Sequence, residues 1–385
     1  MSNDLNGPVR LGMVGGGQGA FIGAVHRIAA RIDGAYQLVA GALSSDPDRA
    51  KASGAELGLD PERCYASFQE MAAAEAARAD GIEAVAIVTP NHMHAPVAKA
   101  FLAAGIHVIC DKPLTSTLEA AEELAKAVEN SGKLFVLTHN YSGYPMIRQA
   151  REMVAAGTLG TLRLVQMEYA QDWLTEDLED TGNKQAAWRT DPSKSGAGGC
   201  IGDIGTHAYQ LGCFVSGLTA DTVLADLTSF VPGRRVDDNV SVLLRFDGGA
   251  KGMLWASQVA PGNENTLTLR VYGDKGGLEW HQENPNQLWY TPFGEPKRLL
   301  TRGGAGSTLA AERVTRVPAG HPEGYLEGFA TIYREAADAI RAARSGRSAP
   351  DGVTYPGIED GLSGMRFIAA CIRSSNEGGA WTRVR

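Results

Sequence analysis

Three stretches of the chain carry side chains able to do chemistry. In Val108-Ile-Cys-Asp-Lys-Pro-Leu114, Lys112 stands directly after a strand-like run. A lysine so placed can hydrogen-bond a hydroxyl and ease its conversion to a carbonyl, and the same sequence also suits an exposed loop lysine beside a turn-forming proline. In Ser195 to Leu211, four glycines precede Asp203, and His207 follows it four residues later. On a helix both would face one way. An imidazole accepts a hydroxyl proton at neutral pH, while a carboxylate orients a substrate or raises the basicity of its neighbour. Metal ligation or an i,i+4 surface pair uses the same spacing, but a metal site needs a third ligand. The one compact histidine pair, His92-x-His94, belongs to another strand end. No metal is expected.

The third stretch is Gly15-Gly-Gly-Gln-Gly-Ala20, read as GxGxxA. Gly15 allows a tight turn, Gly17 lets the backbone approach a pyrophosphate, and Ala20 permits close packing of helix on strand. Gln18 and Gly19 complete the turn. It binds a dinucleotide only between a strand and a helix, and the sequence supplies both: a β-type run at 9–14, then Phe21, Ile22, Val25, Ile28 and Ile32 at helical spacing.

Four further β-type runs (38–43, 84–88, 107–110, 134–138) alternate with helical stretches (68–79, 95–104, 118–128). Ser116-Thr-Leu-Glu119 reads as a capping box for the last of these. The alternation predicts an α/β fold with a doubly wound parallel sheet and a ligand beyond the carboxyl ends of its strands. Those ends carry Gly15 to Gly19, Ser44, Thr89-Pro90-Asn91-His-Met-His94, Asp111-Lys112-Pro113, and Asn140 within His139-Asn-Tyr141. Beyond residue 220 the texture changes to strand-like runs at 222–231, 240–246, 253–259, 267–272 and 278–280, separated by turn signals. They suggest an antiparallel meander in a second, α+β domain, with helices near 325–344 and 358–375 covering it or tying it back. The expected domains are 1–140 and 141–385. Gln171-Asp172-Trp173 and Trp188-Arg189, in loop-like sequence, are aromatic and polar pairs of the kind that hold sugars, or rim residues that pack loops.

Composition narrows the partners. Lys+Arg number 36 against 44 Asp+Glu, a net charge of −8 with no basic block, which disfavours nucleic acid. The five cysteines are odd in number and never spaced as CxxC, so a reducing compartment is expected. No charged and apolar leader opens the chain, and no run reaches the roughly 18 apolar residues of a membrane span. The expectation is a cytoplasmic protein with a small-molecule substrate and no membrane partner.

With the glycine turn, TPNHMH, DKPL and GDIGTH in this order, the sequence resembles the Gfo/Idh/MocA oxidoreductases over nearly its whole length. The resemblance implies a Rossmann domain followed by an α+β domain with a large, mostly antiparallel open sheet, through which homodimers or homotetramers form. It also implies an NAD(P)-dependent dehydrogenase that oxidises a secondary hydroxyl of a sugar, glycoside or polyol. Lys112, Asp203 and His207 match the family's catalytic residues, with Asp111 in place of the usual glutamate. The cofactor would be held by Gly15, Gly17, Gln18, Gly19, Ala20, Ser44, Ser45, Arg49, Thr89, Pro90, Asn91, His94, Asp111, Lys112 and Asn140. The substrate would meet Tyr141, Tyr144, Gln171, Asp172, Trp173, Trp188, Arg189, Asp203 and His207. The QDW run and the later Trp-Arg pair look like the branch acting on levoglucosan and other pyranosides.

Ser44 stands where an NAD-selecting acid is usual, and Arg49 could reach a 2′-phosphate, although Asp46 or Asp48 would oppose it. The balance leans slightly to NADP. Two other functions compete: an NAD-dependent glycoside hydrolase or lyase working by transient oxidation, and a non-catalytic sugar or dinucleotide sensor, which would need none of the three catalytic side chains.

Overall fold

The computed structural model describes residues 7–196 and 198–384. The N-terminal reading at Met1 to Asn6, and Ala197 within the glycine-rich stretch, lie outside the described residues. The chain divides into two compact units.

The first unit runs through β1 (Val9–Gly15), α1 (Phe21–Ile32), β2 (Tyr36–Ala42), α2 (Pro47–Glu56), α3 (Phe68–Ala77), β3 (Ala84–Val88), α4 (His94–Ala103), β4 (His107–Cys110), α5 (Leu118–Ser131) and β5 (Phe135–Leu137). Its sheet has the order β2-β1-β3-β4-β5 and every pairing is parallel. Helices on both faces require strands that are apolar throughout, and all five residues of β3 are buried. Asp46 caps α2 by accepting hydrogen bonds from the Asp48 and Arg49 amides at 3.0 and 3.1 Å. Helix α5 starts at Leu118, where the sequence places it.

The second unit begins with α6 (Pro145–Ala155), β6 (Leu162–Ala170), α7 (Lys184–Arg189) and α8 (Pro192–Ser195). A π-helical turn at Ile201–Gly205 then leads into α9 (Thr206–Ser216). Seven strands follow: β7 (Ala220–Thr228), β8 (Asn239–Phe246), β9 (Lys251–Ser257), β10 (Thr266–Gly273), β11 (Gly276–His281), β12 (Gln287–Pro292) and β13 (Arg298–Thr301). The chain continues through α10 (Leu309–Glu312), α11 (Tyr325–Arg344), α12 (Ile358–Asn376) and β14 (Thr382–Arg383).

The second sheet has nine strands in the order β13-β12-β11-β10-β6-β9-β8-β7-β14. The expected meander is therefore interrupted. Strand β6, absent from the expected set, enters between β10 and β9 and pairs parallel with β9. Its alternation was readable, because Val165, Met167 and Tyr169 are buried while Leu164 is exposed. In β8, Val240, Val242, Leu244 and Phe246 face the core as their alternation predicts.

Helix α11 departs from expectation. Residues 325–362 cluster with the first unit, not with the second sheet, so the boundary at 140/141 does not separate the whole chain. Phe329, Ala330, Ile332, Tyr333, Ala336, Ala337 and Ile340 join the core formed by β1 and by Val25, Ala29 and Ala30 of α1. Small residues on both helices let their backbones approach closely, a match the amphipathic pattern of α11 alone does not reveal.

Candidate active site

In the first unit, the turn after β1 is built for close approach. Gly15, Gly16 and Gly19 have φ of 78°, 71° and 78°, the left-handed region that favours glycine. A Cβ on Gly17 would lie 2.7 Å from the Leu43 carbonyl oxygen. The packing role assigned to Ala20 falls instead to Gly23, where a Cβ would collide with the backbone of Gly16. Ala20 is the N-cap residue of α1 and only partly buried. The third glycine of the fingerprint therefore comes eight residues after Gly15, a spacing the GxGxxA reading passed over. The turn is held by Gly17 N to Leu43 O (3.1 Å), Gln18 N to Ser53 Oγ (3.0 Å) and Arg27 Nη1 to Gly16 O (2.6 Å).

Ser44 and Ser45 follow β2, and Arg49 lies exposed in the first turn of α2. At the ends of β3 and β5, Thr89 Oγ1 and Asn140 Nδ2 are buried without a hydrogen-bond partner. Asn91 is buried and Pro90 exposed in the same loop. His94, expected to line a cofactor, is 1% exposed. Its Nδ1 lies 2.8 Å from the Pro113 carbonyl oxygen and its Nε2 2.9 Å from that of Thr89, so it braces the two loops. The Asp111 carboxylate accepts from Lys112 N at 2.9 Å and Thr138 Oγ1 at 3.1 Å. The Lys112–Pro113 peptide is cis. Nearby His139 is buried, and desolvation, helped by the Lys112 charge, pulls its pKa down to about 3.

In the second unit, Asp203 lies in the π-helical turn and His207 in the first turn of α9. Asp203 Oδ2 accepts from Gln258 Nε2 at 2.9 Å and Arg189 Nε at 3.2 Å. The Arg189 guanidinium stacks over Trp188 at 4.3 Å and lies 6.0 Å from the ring of Trp173. Trp188 and Arg189 thus sit on the short helix α7, not in a loop. From Trp173 a polar chain runs inward. Its Nε1 donates to Gln171 Oε1 (3.0 Å), Gln171 Nε2 to Asn265 Oδ1 (2.7 Å), and Tyr169 OH to the same oxygen (2.9 Å). Tyr141 OH meets Tyr169 OH at 2.6 Å, and the Tyr141 ring lies edge-on to His207 at 5.0 Å. Burial raises the Tyr141 pKa, so it remains a phenol.

Asp172 ties its loop to Gly262 N at 3.1 Å. Tyr144 is 1% exposed, stacked on Tyr141 and edge-on to Trp280. Gln258, Asn265, Arg234 and Asp237 went unrecognised in the sequence. Buried Arg234 donates to the carbonyls of Leu174 and Glu176 and pairs with Glu179 and Asp238, fixing the loop after Trp173. Asp237 accepts from Gly199 N and Ile201 N, each at 2.7 Å, fixing the start of the π-helical turn. Asp237 and Asp238 lie in the polar run Arg234-Arg-Val-Asp-Asp-Asn239, which reads as an ordinary solvated turn. No group of three His, Cys, Asp or Glu arranged to hold a metal occurs among the described residues.

Residues 9–150 match the model of the oxidoreductase family with an NAD-binding Rossmann fold, and residues 147–279 match the GFO/IDH/MocA C-terminal domain. An uncharacterized oxidoreductase, YfiI, of Bacillus subtilis strain 168 is 37% identical over 99% of this chain and 98% of its own. The chain belongs to the Gfo/Idh/MocA family. Two solved structures extend the comparison. An oxidoreductase from Sinorhizobium meliloti is 64% identical, with a TM-score of 0.89 over 97% of this chain and 99% of that one. An inositol dehydrogenase homolog from Azotobacter vinelandii, in complex with NADH and myo-inositol, is 37% identical, with a TM-score of 0.90 over 98% of each chain. The protein is an NAD-binding oxidoreductase of the dehydrogenase kind.

Proposed function

We propose that the protein reversibly oxidises a secondary hydroxyl of a polyol or sugar with a nicotinamide dinucleotide. The observation that carries this reading is the strand edge of the first unit. It has a glycine turn that excludes side chains, and buried Thr89 Oγ1 and Asn140 Nδ2 without protein partners. Buried polar atoms call for a partner, and a bound dinucleotide supplies one. Gly15 to Ala20 would hold the pyrophosphate, Ser44, Ser45 and Arg49 the adenosine ribose, and Thr89 to Asn91, Asp111, Lys112 and Asn140 the remainder.

When bound, nicotinamide supplies the hydride acceptor. His207 takes the hydroxyl proton, Lys112 serves as a hydrogen-bond donor to a substrate hydroxyl, and Asp203 orients the substrate. Arg189 and Gln258 hold Asp203 in place, while Gln171, Trp173, Trp188 and Tyr141 provide aromatic and polar contacts for a ring bearing hydroxyls. The myo-inositol complex of the Azotobacter homolog supports a cyclic polyol, and pyranosides remain within the same chemical class.

For the cofactor, the local charges favour NAD, reversing the lean to NADP. The Asp46 and Asp48 carboxylates flank the start of α2 against the single Arg49 guanidinium, and a 2′-phosphate would meet a net negative field. Comparing dissociation constants of the two dinucleotides tests this, and tighter NADP binding would overturn it. We further propose a homodimer or homotetramer through the second sheet. Leu164, Tyr272, Met253 and Leu243 are exposed, and the register sets Leu164 opposite Tyr272 and Met253 opposite Leu243. A cytoplasmic location is supported by five cysteines of which none forms a disulfide.

The reading is tested by turnover of inositols, pyranosides and sugar acids with each cofactor. Lys112→Ala and His207→Ala should each abolish turnover while cofactor still binds. Full activity in either variant would remove this mechanism.

A further inference from the structure

One buried chain in the first unit lies behind Lys112. Tyr333, on α11, places its hydroxyl 2.8 Å from Nδ1 of His26 on α1. Both side chains are buried, at 1% and 0% exposure. Burial pushes the Tyr333 pKa far up and pulls that of His26 down to about 4, so a phenol faces a neutral imidazole. The phenol is then the donor, which leaves the proton of His26 on Nε2. That nitrogen has no hydrogen-bond partner and lies 4.0 Å from Oδ1 of Asp111. The same oxygen accepts from the Lys112 amide and from Thr138 at the end of β5. A buried N–H dipole 4.0 Å from a carboxylate acts across that gap because little solvent screens it. The charged or titratable groups facing His26 are Asp111, Arg27 and His94, besides Tyr333.

We infer that His26 is a positioning residue: with Tyr333 behind it, it fixes the orientation of the Asp111 carboxylate and thereby the turn that presents Lys112. The inference rests on the role given to Lys112 above. It also gives α11 a task besides packing, because Tyr333 is the outer anchor of the chain. The Tyr333 backbone is itself held, accepting from Tyr36 OH at 2.9 Å. His26 touches neither substrate nor cofactor in this account and acts only through Asp111.

The test compares His26→Leu, His26→Gln and Tyr333→Phe in the full-length holoenzyme. It reads kcat and KM, the cofactor dissociation constant, and the rate at which a small amine-reactive reagent labels Lys112, followed by peptide mass spectrometry with Lys99 and Lys133 as internal references. His26→Leu should lower kcat about 10- to 100-fold, as misplacement of a reacting group does. Cofactor affinity should hold, and labelling of Lys112 alone should change. Glutamine, whose amide N–H reaches the position of Nε2, should restore most of both. Tyr333→Phe removes one oxygen and should shift both readouts the same way by less. It carries the test should the leucine variant fail to fold. Unchanged kcat and unchanged Lys112 labelling in a folded variant would overturn the inference. Lys112→Ala separates the two claims: its activity decides the role of Lys112, while the labelling decides whether His26 positions it.

Discussion

Asp203 shows how much a single side chain depends on neighbours distant in sequence. Its carboxylate is fixed by Gln258 at the end of β9 and by Arg189, which is stacked on Trp188. Removing either donor should leave cofactor binding intact and loosen the carboxylate proposed to orient the substrate. Arg189→Ala is therefore expected to lower kcat/KM for the best substrate about 10- to 100-fold, with the cofactor dissociation constant changed less than about twofold. Steady-state kinetics with fluorescence titration of the dinucleotide check this. Equal losses in both quantities would show that Arg189 supports the fold and not the substrate. Asp203 and His207 draw attention in the sequence because an acid and an imidazole stand four apart after a run of glycines. Gln258 and Asn265 were not, since an amide side chain at a strand end has no local signature and acquires its role only through pairing across the sheet.

At the scale of elements, two devices hold the chemistry, and each can be broken by one change. Gly23→Ala places a methyl group against the Gly16 backbone and should cost about 1–3 kcal/mol of stability through overpacking. Because the collision is at the dinucleotide turn, cofactor affinity should fall with it. Thermal unfolding with and without NAD reads both effects. Asp237→Ala strips the acceptor from two buried amides at the start of the π-helical turn, with a desolvation penalty of about 1–3 kcal/mol for each. Denaturant unfolding checks that sum, and a loss below about 1 kcal/mol would mean the turn re-pairs its amides. The parallel strands were legible because strands buried on both faces are short, continuously apolar, and punctuated by helical spacing. The place of β6 was not, because alternation marks a strand and says nothing of its neighbours. Helix α11 was misassigned for the same reason. Its apolar stripe fits any flat apolar surface, and only the small residues of α1 select the partner.

For the whole molecule, buried histidines set the response to acid. Burial pulls His26 and His107 down to about 4 and His139 to about 3, against an ordinary 6.5. Between pH 6.5 and about 4 the unfolded chain holds protons on these imidazoles that the folded protein does not, so stability falls as pH drops through that window. Asp237 works in the opposite sense. Burial raises its pKa to about 6, so the folded state holds a proton that the unfolded carboxylate, at its ordinary 3.8, gives up. That contribution is present at low pH and lost as pH rises through 6. Burial lowers His94 in the same sense as the other three, so the histidines outweigh Asp237 and the unfolded chain binds more protons near pH 5 than the folded one. Urea unfolding between pH 4.5 and 6.5 measures the slope, and a flat profile would show that these groups titrate normally.

The central claim, that the chain oxidises an alcohol with net transfer of hydride to nicotinamide, is met most directly by one experiment. Purified protein is incubated with NAD and a panel of inositols and pyranosides, while reduced nicotinamide and carbonyl product are quantified together. One reduced nicotinamide should appear for each carbonyl formed, and none of either with His207→Ala. Substrate cleaved without net reduction of nicotinamide would contradict it.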